Sequence, residues 1–343
     1  ALGMMPNDTQ AAFSLNVDAF DNEQSVLSWL PRDEFVGKVA QRIEEEPEKM
    51  REGLDTASQA GIAMTFLPGL SSQVNALAMG WQTDLSSPTQ ELTPETVNEF
   101  VVLLGGFTQR EAGPQLKVLG LKKGPAPQIA ILPGTGLEDY YVGLPQDGII
   151  LVSSNLEWVT NAMQLAETRE GLTAPNSSFM TTYSAAAETL PDVMLYIDGK
   201  AVKAAGKQDA MTAAFIAPLM QAQGLMLTLK PAKVPMVELT AAYNNAQSAA
   251  FGQQFFQQML MMAQGQLNQF AQQAPPQQQQ LMQQGADVLS KLQVSSEGNA
   301  ARLAYPFEDL PEKEQFKEGL VETLDELMTE GIPMNPGMQA PIY

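Results

Sequence analysis

The side chains that could do chemistry in this chain are carboxylates. Its 343 residues include 39 Asp and Glu against 19 Lys and Arg, a formal net charge of −20, with no histidine and no cysteine. Without those two residue types there is no Ser-His-Asp or Cys-His nucleophile system. There is also no disulfide, no zinc finger or iron–sulfur ligand set, and no imidazole to exchange a proton near neutrality. A carboxylate pair could still run hydrolysis of the glycosidase kind. Sequence spacing selects no such pair, and the Asp-Thr/Ser-Gly triplet of aspartic proteases does not occur.

Asp18 and Asp198 are the clearest acids, because Leu15-Asn-Val-Asp18 and Leu195-Tyr-Ile-Asp198 are similar strand endings. Each is expected to cap the turn after its strand. Asp18, Asp21, Glu23 and Asp33 could offer oxygens to Ca²⁺. An EF-hand loop counted from Asp18 needs Gly sixth and Glu twelfth, and those places hold Glu23 and Trp29. Gly134-Thr-Gly136 lacks the third glycine of the dinucleotide fingerprint and the Gly-Lys-Ser/Thr of the phosphate loop. Asn7-Asp-Thr9 and Asn176-Ser-Ser178 match the glycosylation triplet, a match that chance supplies readily. The residues thus nominate no catalytic group, no cofactor and no metal.

A stripe of apolar residues is more specific. The segment 251–284 is rich in Gln, which by composition alone reads as low complexity. Yet Phe251, Phe255, Met259, Met262, Leu267 and Phe270 recur at near-helical spacing, which a disordered linker would not need. The pattern predicts a long amphipathic helix over 246–273, a break at Pro275-Pro276 and a second helix over 277–291. Phe251, Phe255, Met259, Met262 and Phe270 form the candidate apolar binding face, Met being suited to adaptable contacts. The same residues would serve equally as core against a sheet.

Elements must position that face. Phe13, Leu15 and Val17 alternate, predicting a strand over 9–18. A helix is expected over 32–58, interrupted at Pro47. Gly61–Leu67 and Val74–Thr83 read as a hairpin turning through Pro68-Gly69. Thr93-Pro94 reads as the start of a helix ending at Gly105-Gly106. Strands are expected near 115–121, 128–132, 139–143 and 148–153, then helices over 155–168 and 178–189. At Leu190-Pro191 the pattern restarts. Gly61-Ile-Ala-Met-Thr-Phe-Leu-Pro68 echoes Gly224-Leu-Met-Leu-Thr-Leu-Lys-Pro231, and Val74 and Ala78 echo Val237 and Ala241 at the same offset. Late in each half a strand pattern (148–153; 292–295 with 300–305) precedes a helix (155–168; 311–329). The expected fold class is α+β: two diverged copies of one unit with antiparallel sheets flanked by helices. Their bounds are 1–188 and 189–330, with 331–343 as an extended Pro-containing tail.

Three stretches carry a family likeness. Met5-Pro-Asn-Asp-Thr9 before a strand ending in Val17-Asp18, Asp147-Gly-Ile-Ile-Leu-Val-Ser-Ser-Asn155 before a helix, and Leu190-Pro-Asp-Val-Met-Leu-Tyr-Ile-Asp198 are similar to stretches of a family of bacterial extracytoplasmic proteins. That family's strand openings read Leu-Pro-Ala-Asp-Thr; here Asn7 stands for Ala, and the second opening lacks Thr. The resemblance implies an exported α+β protein, sometimes membrane-tethered, and brings no catalytic residue with it.

The acidic excess argues against nucleic acid and anionic membrane surfaces as partners. No apolar run of about 18 residues exists to span a bilayer. The chain begins at Ala1, and the expectation is a signal peptide removed before it and a place in the periplasm or on the cell surface, with the cytoplasm as the alternative. The expected function is non-enzymatic: a binding or assembly component of a larger protein complex or cell envelope. A lipid or hydrophobic-ligand carrier and a carboxylate-based hydrolase are the alternatives.

Overall fold

A computed structural model describes residues 1–23, 25–29, 32–45, 56–83, 97–133, 139–168, 170–187, 190–206, 216–231, 236–273 and 285–306. The fold is α+β, with antiparallel sheet and helices packed on it. The chain divides into two compact units between Ser177 and Ser178. Gly134-Thr-Gly136, the expected helix 311–329 and the tail 331–343 lie outside the described residues.

The first unit contains β1 (Ala11–Asn16), β2 (Val74–Thr83), β3 (Val97–Gly105), β4 (Lys122–Ala126), β5 (Ile129–Leu132), β6 (Tyr140–Gly143) and β7 (Ile149–Ser153). Their order in the sheet is β1-β2-β3-β7-β6-β5-β4. Its helices are α1 (Arg32–Glu45), α2 (Ala57–Thr65), α3 (Gln109–Lys117) and α4 (Leu156–Thr168). Phe100 to Leu103 of β3 are all buried, because helices cover both faces there. On one face Gly61 of α2 sits against the Val101 side chain, and Ser58 donates through N–H and hydroxyl to the buried Glu99 carboxylate, both at 3.1 Å. On the other face Trp158 of α4 stacks on Phe100, with ring centroids 4.5 Å apart. Two Thr-x-x-Gln/Glu capping boxes, Thr56/Gln59 and Thr108/Glu111, start α2 and α3. The Thr108 N–H and hydroxyl donate to Glu111 and hold its carboxyl below the usual range. Gly148 adopts φ +74°, where only glycine is unstrained, and its N–H and C=O pair with Phe107 and Gly105 at the entry to β7. The terminal strand β4 carries Lys122, Lys123 and Pro125, residues that discourage edge-to-edge pairing.

The second unit contains α5 (Ser178–Ala186), β8 (Val193–Asp198), α6 (Gly199–Gly206), β9 (Gly224–Lys230), β10 (Met236–Ala242), α7 (Ala246–Gln273), β11 (Gln293–Glu297) and β12 (Ala300–Pro306). Its strand order is β8-β9-β10-β12-β11. Phe179 of α5 meets Tyr196 of β8 edge-on at 5.2 Å, which fixes α5 to one face. Although α5 precedes the restart at Leu190, it packs on β8, β9 and β10. The opposite face carries a cross-strand row, Leu195–Leu227–Leu239–Leu303–Val294, and α7 lies over part of it.

Three expected elements are corrected. Residues 61–65 belong to helix α2, not to a hairpin strand, because the Thr56/Gln59 box nucleates a helix just upstream and Ala-rich sequence propagates it. Residues 97–105 form strand β3, not a helix. A strand buried on both faces shows a continuous apolar run that periodicity cannot tell from a helix. Residues 115–117 end helix α3, so the strand expected near 115–121 starts only at Lys122. The Gly61/Gly224 echo therefore matches a helix with a strand, and those stretches are not equivalent. The units do share a connection. In each, a first strand leads through helix to a paired second and third strand, and the last strand joins the third (β1-β2-β3-β7; β8-β9-β10-β12), but between them the first unit has three strands, β4, β5 and β6, where the second has β11 alone.

Candidate docking surface

Helix α7 spans 246–273, the bounds its periodicity predicts. At 1.5 Å per residue it is about 42 Å long. Asn245 caps it, its Oδ1 accepting from the Ser248 N–H at 2.9 Å. Gly252 then passes directly over the ring and hydroxyl of Tyr243, a closeness that any larger residue would prevent. The inward side enters a core of Ala222, Ala241, Tyr243, Ala249, Phe255, Phe256 and Ala301, with Leu225, Leu239, Met259, Val294 and Leu303 packed around it. Further along, Gln253 accepts from the Ser296 hydroxyl at 2.7 Å, and the Gln264 amide donates to the Leu289 carbonyl at 3.4 Å. The second bond ties α7 to a helical segment at 285–291.

The five residues of the expected apolar face are divided by this packing. Phe255 is in the core at 7% exposure, and Met259 packs against that core. Phe251, Met262 and Phe270 remain exposed at 51%, 50% and 61%. Met261, at 62%, and Val288 on the 285–291 segment, at 45%, join them. These are five of the eight large apolar side chains exposed among the described residues. The apolar arc of α7 is thus wider than the sheet beneath it can cover.

Helical spacing does not find the whole of this surface. Met261 and Val288 fall off the stripe that spacing picks out. Residues 239–286 form 48 consecutive positions without one charged side chain, in a chain that is 17% charged. The charge count itself could have located the surface.

The acids behave as local structure. Asp198 accepts from the Lys200 N–H at 2.7 Å and from the Tyr196 hydroxyl at 3.0 Å, a turn cap. Burial first, and the neighbouring Asp198 charge second, push the Tyr196 hydroxyl pKa up. Asp18 lies in a 3-10 turn after β1, and exposed Asp21 pairs with Arg32 at 3.0 Å. Among the described residues no three His, Cys, Asp or Glu side chains group as metal ligands. Glu238, which spacing did not single out, is buried on the face opposite α7. It takes Lys230 Nζ at 2.8 Å and the Thr240 hydroxyl at 3.0 Å, with Arg302 Nε 4.0 Å away. Arg302 also donates to the Ala185 carbonyl, so the cluster ties the end of α5 to the sheet. A cavity of about 310 Å³ beside the β4–β5 turn is lined by Gln109, Lys123, Gln128 and Leu144 and by no carboxylate.

Fold and surface together define an α+β protein with an uncharged, partly apolar helical face on its second unit. No family model matches the sequence, and no curated protein does. Among solved structures the chain is similar to TP0453 at 11% identity. Crystal form III covers 94% of this chain and 97% of that one with a TM-score of 0.39. Crystal form I covers 94% and 96% with a TM-score of 0.38. A likeness of that size defines no shared activity or partner. Among the described residues, no helix is long and apolar enough to cross a membrane.

Proposed function

We propose that this protein is a non-catalytic binding component, exported to the periplasm or cell surface, that docks a protein partner on the outer side of α7 and the 285–291 segment. One observation carries the reading: five of eight exposed large apolar side chains cluster there, within or beside an uncharged stretch. Clusters of this kind on otherwise polar surfaces mark interaction sites. The likeness of its strand openings to extracytoplasmic proteins supports export, and the shared strand connection supports reading the units as two diverged copies. A photo-crosslinking residue placed at Met262 in the source cells should give discrete adducts, while one at exposed Glu167 on α4 should give none. Equal labelling at both positions would remove the reading.

The row Leu195–Leu227–Leu239, with Leu227 exposed, favours a second reading, an apolar ligand held beside α7 on the sheet. Native mass spectrometry of protein from its source should then show a bound lipid, and a bare chain mass removes it.

A further inference from the structure

The chemistry of the α7 face selects its occupant, a step that rests on the docking reading above. We infer that the face binds a second copy of this chain, antiparallel and helix against helix, about a two-fold axis near Met261 and Met262.

Charge supports this first. Residues 178–309 carry 7 Lys and Arg against 9 Asp and Glu, whereas 1–177 carry 10 against 23. Two copies of a −20 chain repel wherever their acidic surfaces meet. The charge-free run 239–286 is where that repulsion is weakest. The polar residues support it next. Gln254, Gln257, Gln258, Gln266 and Gln269 surround the exposed apolar side chains. An amide both donates and accepts, so a glutamine surface complements its own copy, as a carboxylate surface cannot.

Placement supports it third. At 100° per residue Phe251 and Met262 share one stripe, with Met261 and Phe270 flanking it on either side. Phe251 lies ten residues before Met261, and Phe270 eight after Met262. An antiparallel pair centred on the methionines therefore sets Phe251 of one copy within about one turn of Phe270 of the other. Gly265, with open space around its Cα, lets the backbones approach. Phe251 and Met262 lie in the seam, while Met261 and Phe270, on opposite sides of the helix, reach only its two margins. The glutamines must supply the rest of the roughly 1,000 Å² at which specific interfaces begin.

Sedimentation equilibrium of the whole chain tests this. The expected species at tens of micromolar is twice the 37.1 kDa chain mass. The Met261→Glu/Met262→Glu double variant changes only exposed side chains, so it should keep its circular dichroism and lose at least about 100-fold in association. If that variant misfolds, the uncharged pair Phe251→Gln/Met262→Gln should still weaken association about tenfold. A crosslinker at Met262 should join two copies of the chain. A monomer in which Met262 crosslinks a different protein overturns the second copy and leaves the docking reading intact. A monomer with no adduct at Met262 overturns both. A folded double-Glu variant that remains dimeric overturns the assigned face.

Discussion

Among the described residues the buried hydroxyl of Tyr243, beneath the backbone of Gly252, has no hydrogen-bond partner. A buried polar group left unpaired costs about 1–3 kcal/mol, so Tyr243→Phe should stabilise the fold by up to about 1 kcal/mol, read as a higher urea midpoint. Gly252→Ala places a methyl on the phenol and should destabilise by about 1–3 kcal/mol. Because the clash includes the hydroxyl, the double variant should lose less than the two changes added, and strict additivity would sink the account. Burial also pushes the Tyr243 pKa up to about 12. The folded value lies above the ordinary 10, so the unfolded chain releases its proton first. Stability is then intact below pH 10 and falls as pH rises toward 12. Tyr196, raised by burial and by Asp198, acts in the same direction. The alkaline fall should be shallower in Tyr243→Phe, and an unchanged slope would show that the phenol plays no part. None of this was legible from sequence, since Tyr243 and Gly252 meet only when α7 folds back on β10. Asp198 as a turn cap was legible, because its partner lies two residues away.

Local capping and long-range burial explain which elements could be read. Helix α7 was recoverable to its ends from its apolar spacing and the Pro275-Pro276 that follows it, both local signals. Strand β7 and helix α4 were recoverable for the same reason, with Asn155 accepting from the Trp158 N–H at 3.0 Å. Helix α2 and strand β3 were exchanged in the reading because both are apolar runs of similar length. What separates them is non-local: β3 is covered on both faces, by α2 and by α4. The exposed apolar surface of α7 was half legible for a related reason. Periodicity finds an apolar arc, but how much of that arc a sheet covers depends on where the sheet ends. Capping yields a direct check. Removing the side chain of Asn245 or Thr56 by alanine should cost about 1 kcal/mol each, read as a lower urea midpoint with unchanged slope. No change at Asn245 would mean that packing alone, not its cap, holds the start of α7.

Across the whole molecule, charge is segregated: the acidic excess lies mainly outside 178–309, and 239–286 has no charge at all. The sign of a salt effect distinguishes two ways a partner could be held. If the contact used complementary charges, added salt would screen attraction and weaken it. For two copies meeting on uncharged helices, the only long-range force is repulsion between their acidic surfaces, and salt screens that instead. Self-association should therefore tighten, several-fold, between about 20 mM and 0.5 M sodium chloride. It should also stay level between about pH 6 and 9, because no histidine or cysteine is present to change charge in that range. Sedimentation equilibrium across salt at pH 7.5, then across pH at fixed salt, measures both. An association that weakened with salt would place the contact on charged surface, away from the uncharged helix α7.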